Sequence, residues 1–280
     1  MDPVFAGLET DKETMMEGAD IVFANLEGPI RGEGRKGGTS MVFAFNRDIA
    51  PFLKDYGFNV LSIANNHAVD AGWDGRAETM EVLKEGGIAF CGHPSEADYD
   101  SVYFGESGEV KFAFICFNDI RYKLGKEKAK ELIKKVKEEA DIVLVSIHWG
   151  YEYVNNPHHK VQVEAGRELI DAGADVIIGH HPHVIQSFEI YNGKLIFYSI
   201  GNFIFDQYWS GATQEGLGLK LFFDLNGGDL KTTVDLIPMK SKNSQPRVMT
   251  SDEYSNWAER FLKYSDYSEE IRQMVAPEIK

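Results

Sequence analysis

The chain has 280 residues, of which 43% are hydrophobic and 26% charged, and its formal net charge is -15. A chain of this length can bury a substantial core, as one large domain or two small ones. The negative charge disfavours nonspecific binding to nucleic acid or to anionic membranes, because both are polyanions. An acidic substrate would therefore need a local positive centre, which a bound metal ion can supply.

The sequence carries no clear signal for export or membrane insertion. No apolar run approaches the roughly 20 residues that a membrane-crossing helix needs, and acidic groups stand near the start where a signal peptide would carry basic ones. The chain is therefore expected to be cytoplasmic as it stands, and cell-surface associated if the natural N-terminus is longer. Cys91 and Cys116 lie in or beside apolar runs without paired spacing, which predicts buried free thiols and disfavours a disulfide or a thiolate zinc site.

Strand-like and helical patterns alternate over most of the chain, which predicts an α/β fold. Strands are predicted at residues 21–25, 60–64, 110–117, 142–147, 176–178, 195–200, 217–225 and 232–237, and helices at 47–56, 72–85, 126–139 and 159–172. Turn signals at Asn192-Gly193 and Asn226-Gly227-Gly228 predict antiparallel pairing of the later strands. Residues 240–247 are predicted to be a linker, and residues 251–276 two short amphipathic helices that pack back on the domain.

Histidines stand at or just after the ends of three predicted strands. They are His67, His148 and the run of His180, His181 and His183. Imidazole is a common ligand of transition metals, and the ends of parallel strands converge on one crevice. Packing explains these residues poorly, because buried imidazoles need hydrogen-bond partners and offer little apolar area. The pattern predicts a metal-assisted hydrolytic site.

Two acidic residues near these histidines, Glu27 and Asp70, each have two possible roles. Asn25 ends the first strand and Glu27 follows it, where a carboxylate suits a hard or borderline cation, but Glu27 could equally cap a neighbouring amide. Asp70 lies three residues after His67 and could fix that imidazole through its other ring nitrogen, or cap the helix that follows. The proline between His181 and His183 predicts an extended segment with both rings on one side.

Three further residues are candidates for substrate contact. Trp149 and Glu152 follow His148 and could form a substrate wall, although aromatic residues after a strand more often belong to the core or rim. Asn202 stands in a Gly-Asn turn at another strand end and could contact substrate. Together with Asn25, these residues form the predicted substrate-binding set.

Five segments carry a family resemblance. Residues 20–29, 64–70, 148–153, 179–186 and 198–203 resemble, in this order, the CapA family of bacterial capsule, or poly-gamma-glutamate, biosynthesis proteins. That family is similar in fold to the calcineurin-like metallophosphoesterases. The resemblance implies a four-layer α-β-β-α sandwich over residues 1–240, with residues 241–280 as a linker and helical extension that packs on it. It also implies a dinuclear metal site at the strand ends.

The resemblance implies specific metal ligands, namely Glu27, Asn66, His148, His181 and His183, with His180 as an alternate ligand or supporting donor. The cation would be manganese, zinc or iron, and two ions are possible. One departure from the family leaves metal occupancy open, because no strand ending in a Gly-Asp pair precedes Asp20.

Two functions are compatible with this pattern. If cations bind, hydrolysis by a metal-activated water is expected, with His67 as general acid and Asp70 fixing its tautomer. The bond broken would be a phosphoester by fold analogy or a glutamyl amide by the family's name. The expected substrate is then an acidic polymer or a phosphorylated small molecule. Alternatively, the chain is a non-catalytic component that binds the polymer within the capsule-synthesis machinery.

Overall fold

The computed structural model describes residues 16–31, 42–263 and 268–275. The strands are β1 (Phe23–Asn25), β2 (Val60–Ser62), β3 (Ala89–Cys91), β4 (Tyr103–Ser107), β5 (Val110–Asn118), β6 (Ile142–His148), β7 (Val176–His180), β8 (Phe188–Tyr191), β9 (Lys194–Phe197), β10 (Glu215–Asn226), β11 (Asp229–Lys242) and β12 (Gln245–Val248). The α-helices are α1 (Ile49–Asp55), α2 (Gly72–Glu85), α3 (Lys126–Lys137), α4 (Glu164–Asp171), α5 (Ser251–Leu262) and α6 (Glu269–Val275). Short 3-10 helices occupy Tyr99–Ser101 and Ala212–Gln214, and a π-helix occupies His159–Val163.

The chain divides into two compact units. The first unit contains Gly18–Trp149 and Asp171–Asp175, and the second contains Met1–Glu17, Gly150–Ile170 and Val176–Lys280. The predicted division at residue 240 into a domain and an extension stays a prediction.

The first unit is built on parallel strands. Strands β1, β2 and β3 pair in parallel in that order, β5 pairs in parallel with β6, and β4 adds antiparallel to β5. Every residue of β6 is buried, which is the pattern of a strand covered on both faces. Helix α3 buries Ala129, Leu132, Ile133 and Val136 and exposes lysines, as its amphipathic pattern predicts. The carboxyl ends of β1, β2 and β3 therefore form one edge of a parallel sheet.

The second unit is mainly antiparallel. Strand β9 pairs in parallel with β7 and antiparallel with β8, and β10, β11 and β12 form an antiparallel meander. The β8–β9 turn places Asn192 and Gly193 at φ 50° and 73°, the left-handed region that a tight hairpin turn requires. The predicted antiparallel pairing is confirmed. Trp257 and Phe261 of α5 and Ile271 and Val275 of α6 are buried in one core with residues of β7 and β9.

Some elements differ from the sequence prediction. Residues 240–247, predicted as a linker, form the end of β11 and most of β12. Strands β3 and β4 were not predicted, because runs as short as Ala89–Cys91 carry little periodicity. The helix predicted at 159–172 begins as the π-helix His159–Val163 and continues as α4.

The cysteine prediction is wrong. Cys91 and Cys116 are joined in a disulfide, with their Cα atoms 5.5 Å apart, and both side chains are buried. Cys91 ends β3 and Cys116 lies in β5, so the bond joins strands of different sheets within the first unit. Their proximity arises from tertiary packing and leaves no trace in sequence spacing.

The mixed α/β class is confirmed, with several sheets flanked by helices. Among the described helices, none is long and apolar enough to cross a bilayer. Most of the segment before Asp20, where the family's Gly-Asp strand was expected, lies outside the described residues.

Candidate functional site

A carboxylate and an imidazole meet in the first unit. Glu27 follows β1 and His148 is the last residue of β6, and the Glu27 Oε1 atom lies 3.7 Å from His148 Nε2. Both side chains are largely buried, with 12% and 1% of their surface exposed. Two atoms that each lie about 2.1 Å from a shared zinc ion are about 3–4 Å apart. The pair therefore has the chemistry and spacing of two ligands of one cation.

Amide side chains support this pair. Asn25 Nδ2 donates to Glu27 Oε2 at 3.4 Å, and Asn65 Nδ2 donates to Asn25 Oδ1 at 3.2 Å and to the Leu26 carbonyl at 2.8 Å. Asn25, predicted to contact substrate, thus lies between Glu27 and the fully buried Asn65. Asn65 was not singled out from the sequence.

Asn66 carries an orphaned acceptor. Its Oδ1 is buried and has no hydrogen-bond partner among the described residues. A buried carbonyl oxygen without a donor costs free energy unless a cation or water satisfies it. The residue follows β2, the parallel neighbour of β1, so its position and its amide oxygen are those expected of a hard-cation ligand.

His67 is held by a carboxylate. Its Nδ1 lies 2.7 Å from Asp70 Oδ2, which also accepts the backbone N–H of Phe43 at 2.9 Å. Because an ionised carboxylate only accepts, His67 Nδ1 donates and Nε2 is the ring nitrogen available for proton transfer. Asp70 does not cap α2, since the capping position is Ala71 and no side chain caps the helix.

The second unit contains a group of metal-ligand type. Glu152, His181 and His183 offer ligand atoms that all lie within 4.8 Å of one another, and both imidazoles are buried while Glu152 is exposed. His181 and His183 adopt φ of 97° and 58°. The predicted extended conformation of this segment is therefore wrong, although the two rings do lie near each other. Left-handed backbone is disfavoured for residues with a Cβ and clusters at functional sites.

The tautomer of His183 is fixed by its neighbours. Asn202 Nδ2 donates to the Thr213 carbonyl at 2.9 Å and to Gln207 Oε1 at 3.1 Å, which uses both amide hydrogens. Asn202 Oδ1 therefore faces His183 Nδ1 at 2.9 Å and can only accept. His183 Nδ1 carries the proton, so its Nε2 keeps the lone pair for a cation. Asn202, predicted to contact substrate, is buried and positions a histidine.

Tyr153 ties the loop that carries Glu152 to the histidine segment. Its backbone N–H donates to the Pro182 carbonyl at 2.8 Å, and its hydroxyl accepts from Gln207 Nε2 at 3.0 Å. Its ring stacks on His183, with centroids 6.0 Å apart and planes 25° apart. Tyr153 itself has a φ of 62°. These contacts set the position of the residue next to Glu152.

Trp149 and His180, two other predicted site residues, are both buried. Trp149 is fully buried, so the structure places it in the core and not on a substrate wall. His180 ends β7, and burial lowers its pKa to about 4. Its Nε2 has no hydrogen-bond partner in the part of the chain that the structure describes. The roles of these residues, and the convergence of imidazoles from both units on one crevice, stay predictions.

Comparison with known proteins identifies the family. The family described as bacterial capsule synthesis protein PGA_cap matches residues 3–207. The chain belongs to this capsule family. The capsule biosynthesis protein CapA of Bacillus anthracis is 31% identical over 259 residues, 84% of this chain and 62% of that protein. The PGA biosynthesis protein CapA of Bacillus subtilis strain 168 is 34% identical over 222 residues, 73% of this chain and 58% of that protein. This capsule-family chain thus spans about three fifths of these relatives, and the predicted CapA resemblance is confirmed.

Solved structures share the fold of this capsule-family chain. A novel phosphatase from Mycoplasma pneumoniae aligns with a TM-score of 0.53 at 14% identity, covering 84% of this chain and 88% of that one. A hypothetical protein from Thermus thermophilus aligns with a TM-score of 0.53 at 17% identity, covering 84% and 93%. The chain therefore shares its fold with these two proteins.

The residues present fit a divalent cation in each unit. The second unit offers two imidazoles and a carboxylate within a few ångströms. The first offers the Glu27–His148 pair, together with the orphaned Asn66 oxygen at the neighbouring strand end. Mixed nitrogen and oxygen donors suit borderline and hard divalent metals.

Proposed function

We propose that this capsule-family chain is a divalent-metal-dependent hydrolase that cleaves a phosphoester or glutamyl amide bond. The observation that carries the proposal is the Glu152, His181 and His183 group, in which Asn202 leaves His183 Nε2 unprotonated for a ligand. A neutral imidazole fixed through its other nitrogen is the form that metal sites use. Packing alone does not explain this group of side chains, because both histidines occupy left-handed backbone that is disfavoured for residues with a Cβ.

The metal ligands differ in the two units. In the second unit, His181, His183 and Glu152 bind one cation. In the first unit, Glu27, His148 and Asn66 bind another. Manganese, zinc and iron all suit this donor set. A bound divalent cation would supply Lewis acidity and lower the pKa of a bound water toward neutrality.

His67 is the proposed proton donor. Asp70 holds it through Nδ1, so that Nε2 can carry the proton delivered to a leaving oxygen or nitrogen. The ring of Phe43 lies 4.2 Å from His67 and covers one side of it. This arrangement matches a general acid whose tautomer and orientation are both fixed.

The proposed substrate is acidic. The chain carries a net charge of -15, so bound cations would be the positive centres that attract a carboxylate-rich polymer or a phosphorylated small molecule. The related proteins are named for capsule and PGA biosynthesis, which supports a polymer of this kind and a place in the capsule-synthesis machinery.

The test combines metal analysis with a substrate screen. Purified protein is dialysed against manganese or zinc, its metal content is measured, and hydrolysis of a generic phosphoester and of a glutamyl peptide is followed. We expect metal in stoichiometric amount and turnover of one substrate. His181→Ala should lose metal and turnover, whereas His67→Ala should lose turnover and keep the metal.

His159→Ala is the matched control, because His159 is an exposed histidine of the second unit that pairs with Glu164. It should keep both metal and rate. Stoichiometric metal with retention of an acidic polymer and no turnover of either substrate would favour the alternative, a non-catalytic component. Absence of bound metal would contradict the proposed metal-dependent hydrolase.

A further inference from the structure

A half-buried arginine in the first unit has no carboxylate partner among the described residues. Arg76, in α2, donates from Nη2 to the Gly92 carbonyl at 3.1 Å and from Nη1 to the Met80 sulfur at 3.2 Å. Its buried Nε has no hydrogen-bond partner within the described segments, and it makes no ion pair with a described carboxylate. A guanidinium offers five N–H groups, and two of those of Arg76 bond to described residues. In so acidic a chain, an unpaired and partly desolvated cation needs an explanation.

Burial lowers the pKa of Arg76, and Asp98 opposes this effect only through longer-range attraction. The charge is retained nevertheless, because arginine does not lose its proton under ordinary conditions. An anion bound beside the guanidinium would offset the desolvation cost. The alternative explanation is that Arg76 only links α2 to the loop after β3 through Gly92. That explanation leaves the buried Nε without a partner among the described residues.

A histidine beside Arg76 supplies another donor. His93 directly follows Gly92, and its Nδ1 accepts the backbone N–H of Ser95 at 3.3 Å. A backbone N–H can only donate, so the neutral ring carries its proton on Nε2. Burial and then the charge of Arg76 lower the pKa of His93, with Glu96 and Asp98 opposing them, and the net lowering favours this neutral form.

An exposed tryptophan lies over the same histidine. Trp73 is three residues before Arg76 in α2 and is 52% exposed, and its ring stacks on His93 with centroids 5.5 Å apart and planes 21° apart. Positions three apart lie on the same face of a helix. A large exposed aromatic ring next to hydrogen-bond donors is typical of a ligand-binding surface more than of a core.

The position of these residues also points to a ligand. His93 follows β3, and His67 follows β2, its parallel neighbour. Ligands of α/β sheets bind at the carboxyl ends of parallel strands. Arg76 and His93 thus lie at the sheet edge that carries the proposed proton donor, although neither is needed to hold a metal or move a proton.

We propose that Arg76, His93 and Trp73 form an oxyanion-binding subsite for one carboxylate or phosphate group of the substrate. The guanidinium and the His93 Nε2–H donate to the anion oxygens, and the Trp73 ring covers the adjoining apolar part of the ligand. The identity of this group as part of a substrate rests on the proposed hydrolase function. Binding of the anion does not, because it needs neither a metal nor turnover.

The test is a titration of the full chain followed by NMR of labelled histidine and tryptophan side chains. Inorganic phosphate is added in one series and glutarate in the other, which distinguishes a phosphate from a carboxylate source. We expect saturable shifts of the His93 and Trp73 signals with at least one probe. Arg76→Gln should weaken that binding at least about tenfold, and Trp73→Ala should weaken it less.

Arg47→Gln is the matched control, because it removes the same charge from an exposed arginine of the first unit that is already paired with Glu78 and Glu85. It should leave the binding unchanged. Should Arg76→Gln fail to fold, as judged by thermal melting, His93→Gln takes its place. Shifts confined to His181 and His183, no saturable shift at all, or equal affinity in the control and subsite variants would overturn the subsite. Loss of hydrolysis with intact anion binding would overturn only the proposed function.

Discussion

The histidine sets of the two units are held in position by different means. In the first unit, Glu27, Asn66 and His148 stand at or just after the ends of parallel strands, where the sheet itself fixes them. In the second unit, His181 and His183 occupy left-handed backbone that is disfavoured without support. That support comes from hydrogen bonds to Asn202 and through Gln207 and Tyr153. The second set should therefore be more sensitive to changes in side chains that touch no ligand.

The largest effect is expected from removal of a ligand in the second unit. His183→Ala takes away an imidazole of the proposed ligand group, and it also leaves Asn202 Oδ1 without its donor. Turnover and metal affinity should fall by more than about a hundredfold. Isothermal titration with zinc and steady-state rates check this. A variant with normal affinity would show that the second unit does not bind the metal used in catalysis.

In the first unit, Asp70→Asn should reduce turnover by about a hundredfold, because it removes the carboxylate that accepts from Nδ1 and orients the His67 ring. Metal affinity of the second unit should not change.

The control is Asp141→Asn, which alters a carboxylate of the same unit that also accepts a backbone N–H, from Lys111, away from the candidate site. Its rate should stay normal. An Asp70→Asn variant with a normal rate would contradict the proposed role of the Asp70–His67 pair.

Gln207→Leu tests whether hydrogen bonds of the second unit position its proposed metal ligands. This change removes the acceptor of Asn202 and the donor to Tyr153 without touching a proposed ligand. We expect metal affinity to weaken about tenfold and the His183 tautomer, read from nitrogen NMR shifts, to become mixed. Gln214→Leu is the matched control, because the Gln214 side chain donates to nearby loop carbonyls, those of Tyr208 and Ser210. Equal behaviour of the two variants would mean that the network does not position the site.

The smallest effect on either site is expected from loss of the disulfide. The bond closes a loop across a sequence separation of 25, and replacing Cys91 and Cys116 by alanine should lower the free energy of unfolding by about 3–4 kcal/mol. Zinc affinity should stay the same, because the bond joins β3 to β5 and neither cysteine is a proposed ligand. Denaturant unfolding curves and zinc titrations measure the two quantities. Weakened zinc binding would indicate that the disulfide also shapes a site.

The same contrast explains what the sequence could predict. Strand ends are visible as apolar runs, so Glu27, His67 and His148 were predicted as site residues from their places after those runs, whereas Asn66 came from the family resemblance. The predicted convergence of Glu27 and His148 follows from strand geometry, and their atoms lie 3.7 Å apart. Two interpretations of Asp70 were open from the sequence: a partner of His67 or a cap of α2. Their spacing predicts the pairing with His67, which the structure contains, whereas the cap interpretation is wrong.

Residues held by tertiary contacts left no such signal. The left-handed backbone of His181 contradicts the local preference of a residue before proline, so the surrounding contacts override that preference. Gln207 and Tyr153 matter through bonds to residues distant in sequence, and Glu152 was assigned to substrate although the structure places it with two histidines. Trp149, one candidate for a substrate wall, is buried, which matches the core alternative that the sequence also offered.

The central claim, that these side chains hold divalent cations, is tested most directly by anomalous scattering from crystals grown with zinc. The account predicts a strong peak about 2.0–2.2 Å from the His183 Nε2 atom, with His181 and Glu152 as further ligands. Fully occupied zinc bound only at other places, with His183 Nε2 left bonded to protein or water, would contradict it.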